Sequence, residues 1–480
     1  MGAGLAGTLM AIYFARRRWQ VDLYELRPDC RITRFAGGRS INLTLATRGL
    51  AALARVLDLK DILDITIPLE GRMVHSLNGS LKFHPYGTKS TEVIHAVTRC
   101  SLNARLMDLA ERYPNIRIWF NHRCTRIDKK NWAVEIYDET SQSHKQISPD
   151  FIVGADGTFS TVRQQMQRND RANFQQDYLE CGYKELVFAA GPGNKFRMHK
   201  NRLHLWPRGK FMLMAIPNLD GTFASNCILP MDGHGSFSDL DSPTKVVKFF
   251  EEQFPDAVGL IEDLPNTFLR NPVSGFLTTR TLPWYQGDRM VLIGDACHTV
   301  VPFYGLGMNA AFEDCSVLDD CIGKHPDRLD LAFQEYQQLR KLNTDVLGHL
   351  SVENFVELRD KVRSYRLIAR KKLIAGGHWL FPKAVVPLYT MMSHTTIPFA
   401  EALRKSKLQD RRMRYFGSDI AVPLLAGFLA CKDQLSGALG SLFKKPRRIV
   451  TPIALTPATT DLKIATEKSR AASSHEKAAI

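Results

Sequence analysis

Apolar residues fill LAGTLMAIYFARRR (5–18) almost without a break until the closing arginines. The pattern predicts a buried helix whose basic end suits the C-terminal pole of its dipole. VDLYE (21–25) then reads as a short strand ending in a carboxylate. FIVGADGTFSTVR (151–163) predicts a strand running into Asp156-Gly157, with Ser160 and Arg163 opening a helix. MVLIGDACHTVVPFYGLGMNAAFED (290–314) predicts a buried strand that delivers Asp295 to a turn, then a Gly/Pro-rich loop leading into a helix. FMLMAIPN (211–218) and TFASNCILP (222–230), joined through NLDG, predict a hairpin. From about residue 331 to 414 the apolar spacing turns helical. AAGPGNK (189–195) has no amphipathic helix behind it and reads as a loop, not a second nucleotide fingerprint.

The opening MGAGLAGTLM sharpens this picture. Gly2, Gly4 and Gly7 form GxGxxG, and Glu25 follows 18 residues beyond Gly7. Such glycines permit a tight turn and close backbone approach to a pyrophosphate at the helix N-terminus, while the acid receives a ribose hydroxyl. The buried strand that normally leads into this turn is missing from the sequence. Its loss predicts unpaired backbone on neighbouring strands, so a truncated gene model or alternative start is the expected reading.

Composition narrows the class. A chain of 480 residues, 44% hydrophobic and 24% charged, suits two to three folded domains. Nine cysteines without CxxC or other metal spacing predict reduced thiols in an intracellular protein and no metal site. The net charge is +15, and residues 401–480 carry +8 of it, with 15 Lys and Arg against 7 Asp and Glu. KKPRR (444–448) lacks interleaved aromatics, which argues against nucleic acid. A basic tail at an anionic membrane surface fits better, with a merely solvated tail as the equal alternative.

GxGxxG, then DG, then GD in this order resembles the single-component flavoprotein aromatic hydroxylases. With GRSINL (38–43), GRMVHSLNG (71–79), PYGTKS (85–90), ENFVEL (353–358) and PLYTM (387–391), the chain resembles the kynurenine 3-monooxygenase family over roughly residues 2–400. The resemblance implies an α/β fold: a Rossmann-like FAD domain interlaced with an antiparallel-sheet substrate domain, then a helical C-terminal region. The expected boundaries are 1–70, 98–180 and 275–330 for FAD, and 71–97 with 181–274 for substrate. The helical region would cover 331–415, with a candidate membrane-associated segment at 416–450 and a disordered tail at 451–480.

The resemblance also implies chemistry. NADPH, docking transiently beside the flavin, would reduce FAD, and O2 would then be used to hydroxylate L-kynurenine to 3-hydroxykynurenine. That reaction belongs to the kynurenine pathway of tryptophan catabolism leading to NAD biosynthesis. FAD would be held by Gly2, Gly4, Gly7, Glu25, Arg39, Arg99, Asp295, Gly307, Met308 and Asn309. Arg72, Tyr86, Asn354 and Tyr389 would take the substrate carboxylate end, and Glu357 the ammonium. A fixed guanidinium fork suits a carboxylate. Because the flavin hydroperoxide chemistry and the electron-donating ring amine suffice, no catalytic acid or base is assigned, and His298 reads as structural.

One departure bears on function. Leu306 stands in GLGMN (305–309) where the family commonly has an amide, which removes hydrogen-bonding capacity beside flavin and substrate. Leu306 and the missing strand keep two alternatives open: a hydroxylase of another amino-substituted aromatic, or a flavin-binding protein without turnover. Animal members of the family are anchored to the mitochondrial outer membrane through the C-terminal region. Here IAVPLLAGFLAC (420–431) is uncharged and flanked by RRMR and KKPRR, but is shorter than the roughly 20 residues a bilayer span requires. A surface-lying anchor on the cytosolic face is expected, or a cytoplasmic protein if the segment packs on the body.

Overall fold

The computed structural model describes residues 1–32, 42–87, 89, 91–168, 171–358, 365–381, 384–415, 421–425 and 427. The glycine turn leads directly into the helix Leu5–Arg16, whose residues from Gly7 to Ala15 are buried. The strand Val21–Tyr24 follows and pairs in parallel with Ile116–Trp119. A second parallel pair joins Ile152–Gly154 to Met290–Leu292.

Met1 and Gly2 lie between these two pairs. The Met1 ammonium donates to the Val153 carbonyl (2.7 Å), and Ala155 N–H donates to the Met1 carbonyl (2.8 Å). On the other side Gly2 N–H donates to the Tyr24 carbonyl (2.7 Å). The central strand position is thus not wholly empty. Two residues supply its last rungs and join the two parallel pairs, and burial lowers the ammonium's pKa.

A seven-stranded sheet forms the opposite wall. Its order is Ser274–Leu282, Asn173–Phe188, Phe223–Pro230, Met212–Pro217, Arg202–Pro207, Gly71–His75, Leu81–Pro85. All neighbours are antiparallel except Gly71–His75 beside Arg202–Pro207. The expected hairpin is present, with Met212–Pro217 registered against Phe223–Ile228. One sheet face packs under the helices Pro243–Gln253 and Leu264–Arg270, burying Phe249, Phe250, Phe254 and Phe268. The other face carries Leu203, Leu205, Ile216 and Ile228 into a core shared with the C-terminal helices.

Those helices include Leu329–Val356, Leu388–Ser393 and Phe399–Tyr415. The 189–195 segment is a loop, closed by Gly191 N–H to the Lys195 carbonyl (2.7 Å). Met1–Leu429 packs as one unit. Among the described residues no helix is long and apolar enough to cross a membrane. Most of 416–450, and all of 451–480, lie outside the described residues.

Candidate active site

The glycine turn is shaped for close contact. Gly2 has φ +93°, and a Cβ there would meet the Ala155 carbonyl oxygen at 2.5 Å. A Cβ on Gly7 would lie 1.9 Å from the Gly2 carbonyl oxygen. Gly4 differs, since a Cβ there would meet nothing within 4 Å. It borders a cavity of about 1420 Å³ that is also lined by Glu25, Arg27 and Arg99. Glu25 accepts Ala3 N–H (2.8 Å) and Arg27 N–H (3.1 Å), so the carboxylate is fixed beside the turn. An open helix N-terminus, a bare glycine and a fixed acid around one large cavity fit a dinucleotide.

The second and third motifs converge on one another. Asp156 accepts from Ser160 Oγ (2.5 Å) and Val162 N–H (3.1 Å), so it caps the helix Thr161–Gln167. Arg163 ties the motifs together, donating to the Thr158 carbonyl (2.7 Å) and to the Ala296 carbonyl (2.8 Å). Asp295 opens the short helix Asp295–His298 and caps nothing. Asp295 is exposed, and Arg99 and His298 lie in its electrostatic surroundings and favour its charged form. A carboxylate so placed can accept a ligand hydroxyl.

Thr44 Oγ1 donates to the Gly305 carbonyl (3.0 Å). Asn309 accepts Ala46 N–H (2.7 Å) and donates to the Thr44 carbonyl (2.8 Å). Its side chain therefore clamps the 305–309 turn to the strand Asn42–Leu45. What Gly307, Met308 and Asn309 can offer a ligand is backbone N–H at the start of the helix Gly307–Lys324. Arg39 lies outside the described residues.

The substrate candidates meet farther along. Tyr86 and Tyr389 stack with centroids 5.3 Å apart and planes at 17°. Tyr304 continues the column, 5.8 Å from Tyr389 at 23°. The Arg72 guanidinium lies 5.2 Å from the Tyr86 ring and 5.3 Å from Tyr389. It is hydrogen-bonded to Tyr86 but has no ion-pair partner among the described residues. Burial raises the pKa of all three tyrosines, so they remain phenols.

Asn354 donates to the Phe303 carbonyl (2.7 Å), so its amide N–H holds the loop under the column. Glu357 is the C-cap of the helix Leu329–Val356 and lies in the electrostatic field of Tyr304. Leu306 is buried in the same apolar cluster as Tyr86 and Tyr304. Neither the role of Tyr304 as third ring nor that of Arg163 as a tie is visible in the sequence. Arg163 had at least a local signal in its motif, whereas the column unites three distant segments.

The FAD binding domain family matches residues 68–324. The chain is 44% identical to "Kynurenine 3-monooxygenase" of Salinispora arenicola (strain CNS-205) over 429 residues, covering 88% of this chain and 93% of that one. It is 39% identical to the protein of that name from Dictyostelium discoideum, over 84% of this chain and 89% of that one. The chain belongs to the kynurenine 3-monooxygenase family. The family's Anopheles gambiae member is 36% identical over 92% of this chain and 91% of its own.

Among solved structures, the tetrameric form of 2-methyl-3-hydroxypyridine-5-carboxylic acid oxygenase aligns with a TM-score of 0.60 at 19% identity. That alignment covers 75% of this chain and 92% of the other. PqsL of P. aeruginosa, in complex with 2-aminobenzoylacetate, aligns at 0.57 and 18%, over 74% and 97%. At these identities the likeness is one of fold.

Proposed function

We propose that this chain is an FAD- and NADPH-dependent monooxygenase that converts L-kynurenine, O2, NADPH and a proton to 3-hydroxykynurenine, water and NADP+. Bound FAD, reduced by NADPH, supplies the activated oxygen that enters the ring. The protein's part is position and electrostatics. Glu25, the Gly4 turn and the helix Gly307–Lys324 would hold the cofactor, with Arg99 and Asp295 between them.

The observation that carries the substrate assignment is Arg72. A guanidinium flanked by tyrosine rings, with no carboxylate of its own, is an anion site awaiting a ligand. Kynurenine's carboxylate suits it, with the Tyr86 and Tyr389 rings flanking that end and Asn354 as a further candidate. The ring amine of kynurenine already donates electrons to the carbon that reacts, so no side chain needs to deprotonate the substrate.

Residues 1–70, 98–180 and 275–330 would then form the cofactor side, with 71–97 and 181–274 as the substrate wall. The basic residues flanking 420–431 support surface association with an anionic membrane, at the outer mitochondrial membrane in a cell that has one.

The test is turnover. Flavin-loaded protein should oxidise NADPH faster when L-kynurenine is present and release a product heavier by about 16 mass units, one oxygen atom. NADPH oxidation that ignores kynurenine and yields no hydroxylated product would overturn the reading.

A further inference from the structure

The cavity beside the glycine turn has a second wall. Its volume of about 1420 Å³ exceeds the roughly 300–1,000 Å³ of a pocket for one small ligand. Gly4, Glu25 and Arg99 account for one side only. The other side comes from the substrate sheet and the chain around it: the loop 189–195, Asn226, Arg270 and Asn271. FAD laid along the glycine turn and Glu25 leaves that side unassigned.

The second wall is polar and held in place. Gly191 N–H closes the loop onto the Lys195 carbonyl (2.7 Å). Gly221 backs it closely, since a Cβ there would meet the Asn194 carbonyl oxygen at 2.3 Å. Asn271, the C-cap of the helix Leu264–Arg270, donates to the Glu185 carbonyl (2.6 Å). That bond ties the helix end to the strand Asn173–Phe188 and fixes the backbone that carries Arg270 at the cavity. Arg270 is exposed, and among the described residues its guanidinium has no hydrogen-bond or ion-pair partner.

A guanidinium fork without an acid of its own suits a phosphate. Glu185 and Glu262 line the same side, and carboxylates can accept from ribose hydroxyls and an adenine amine. No helix follows the loop 189–195 directly, so on this wall a side chain must meet the phosphate. The wall thus matches a phosphorylated adenosine.

We propose that this second wall is where NADPH docks while FAD is bound, with Arg270 as the partner of the phosphate on its adenosine ribose. The inference rests on the function proposed above, which makes NADPH the reductant. It adds the surface that tells NADPH from NADH, since only NADPH carries that phosphate.

The probe is adenosine 2′,5′-bisphosphate, the adenosine end of NADPH without the nicotinamide. Isothermal titration calorimetry measures its binding to flavin-loaded wild type, Arg270→Ala and Arg270→Lys, with flavin per chain and melting temperature recorded for each. Oxidation of NADPH and of NADH in the presence of kynurenine gives a KM for each reductant.

Flavin-loaded wild type should bind the probe. Arg270→Ala should raise its Kd about tenfold, as for a lost hydrogen bond to a charged group, with Arg270→Lys in between. The KM for NADPH should rise by a similar factor, while flavin content, melting temperature and the KM values for NADH and kynurenine hold. Flavin-loaded wild type that does not bind the probe overturns the proposal, whether or not flavin-free protein binds it. An equal Kd in wild type and Arg270→Ala, or equal losses for NADPH and NADH, also overturns it. Probe binding that depends on Arg270, without NADPH oxidation that responds to kynurenine, would sink the functional reading and leave the site standing.

Discussion

His298 lies 2.5 Å from Asp314 through Nε2, with both side chains shut off from water. Asp314 also accepts Gly294 N–H (3.0 Å) and Arg340 Nε–H (2.7 Å). Burial pushes its pKa up, but His298 and Arg340 more than reverse this, so it is ionised and His298 must be the donor. Arg340 continues to Glu313, and Glu313 accepts from buried Arg48 (2.8 Å). A chain of charges thus runs from the backbone of the GD motif to the outer helices.

Replacing Asp314 with Asn should break this chain at its most buried link. Arg340 loses one of its two carboxylates, and a buried pair so broken costs about 3–5 kcal/mol. Urea unfolding should show that loss, and flavin per chain should fall because Gly294 precedes Asp295. An unchanged unfolding midpoint would mean the network contributes no net stability.

Gly7 and Gly4 should respond differently to alanine. Gly7→Ala places a methyl group against the Gly2 carbonyl and should lower the melting temperature of the flavin-free protein. Gly4→Ala adds a methyl group in open space, so that temperature should hold. FAD should nonetheless bind about tenfold or more weakly, because the backbone can no longer approach the pyrophosphate. Fluorescence titration of flavin-free protein with FAD separates the two effects.

Arg72→Ala should raise the KM for kynurenine, or reduce kcat/KM, by about 2–5 kcal/mol, since the substrate anion loses its partner. FAD content should be unchanged, because Arg72 lies with the tyrosine column. A variant that loses flavin but keeps its KM would place Arg72 at the cofactor instead.

Acid should destabilise the substrate sheet through His204. Its Nδ1 lies 2.8 Å from His75 Nε2, and its Nε2 lies 3.0 Å from the His199 carbonyl. His75 in turn meets Asp256 (2.6 Å). Burial pushes His204 down to about 4, against the hydrogen bond to the His199 carbonyl, and the charges of His75, His199 and Arg202 add to the lowering. The unfolded chain takes up this proton near pH 6.5, so the stabilisation is complete above that pH and is lost progressively as pH falls from about 6.5 to about 4. The loss is on the order of 3 kcal/mol. Urea midpoints measured from pH 7 to 4 should fall for wild type and fall less steeply for His204→Phe.

Local pattern carried much of the architecture. The helix Leu5–Arg16, the hairpin through 218–222 and the acids at 25 and 295 depend on periodicity, turn chemistry and short spacings, all of which are written along the chain. The cavity-facing character of Gly4, as against the packing character of Gly7, needed three dimensions, because it depends on what lies beyond each Cα. The same holds at the strand slot, where Met1 and Gly2 find partners in Val153, Ala155 and Tyr24.

The tyrosine column lay farthest from sequence reading. Tyr86, Tyr304 and Tyr389 belong to a sheet edge, a loop and a C-terminal helix, and nothing in their spacing brings them together. Residue types and family motifs along the chain determined that this protein handles a flavin and named Arg72 as a cation for a carboxylate. Only tertiary packing decided that Arg72 would be flanked by aromatic rings without an acid of its own, and that Tyr304 would stack on Tyr389 beside them. Long-range burial sets which charges see one another, and a linear sequence does not contain that distance.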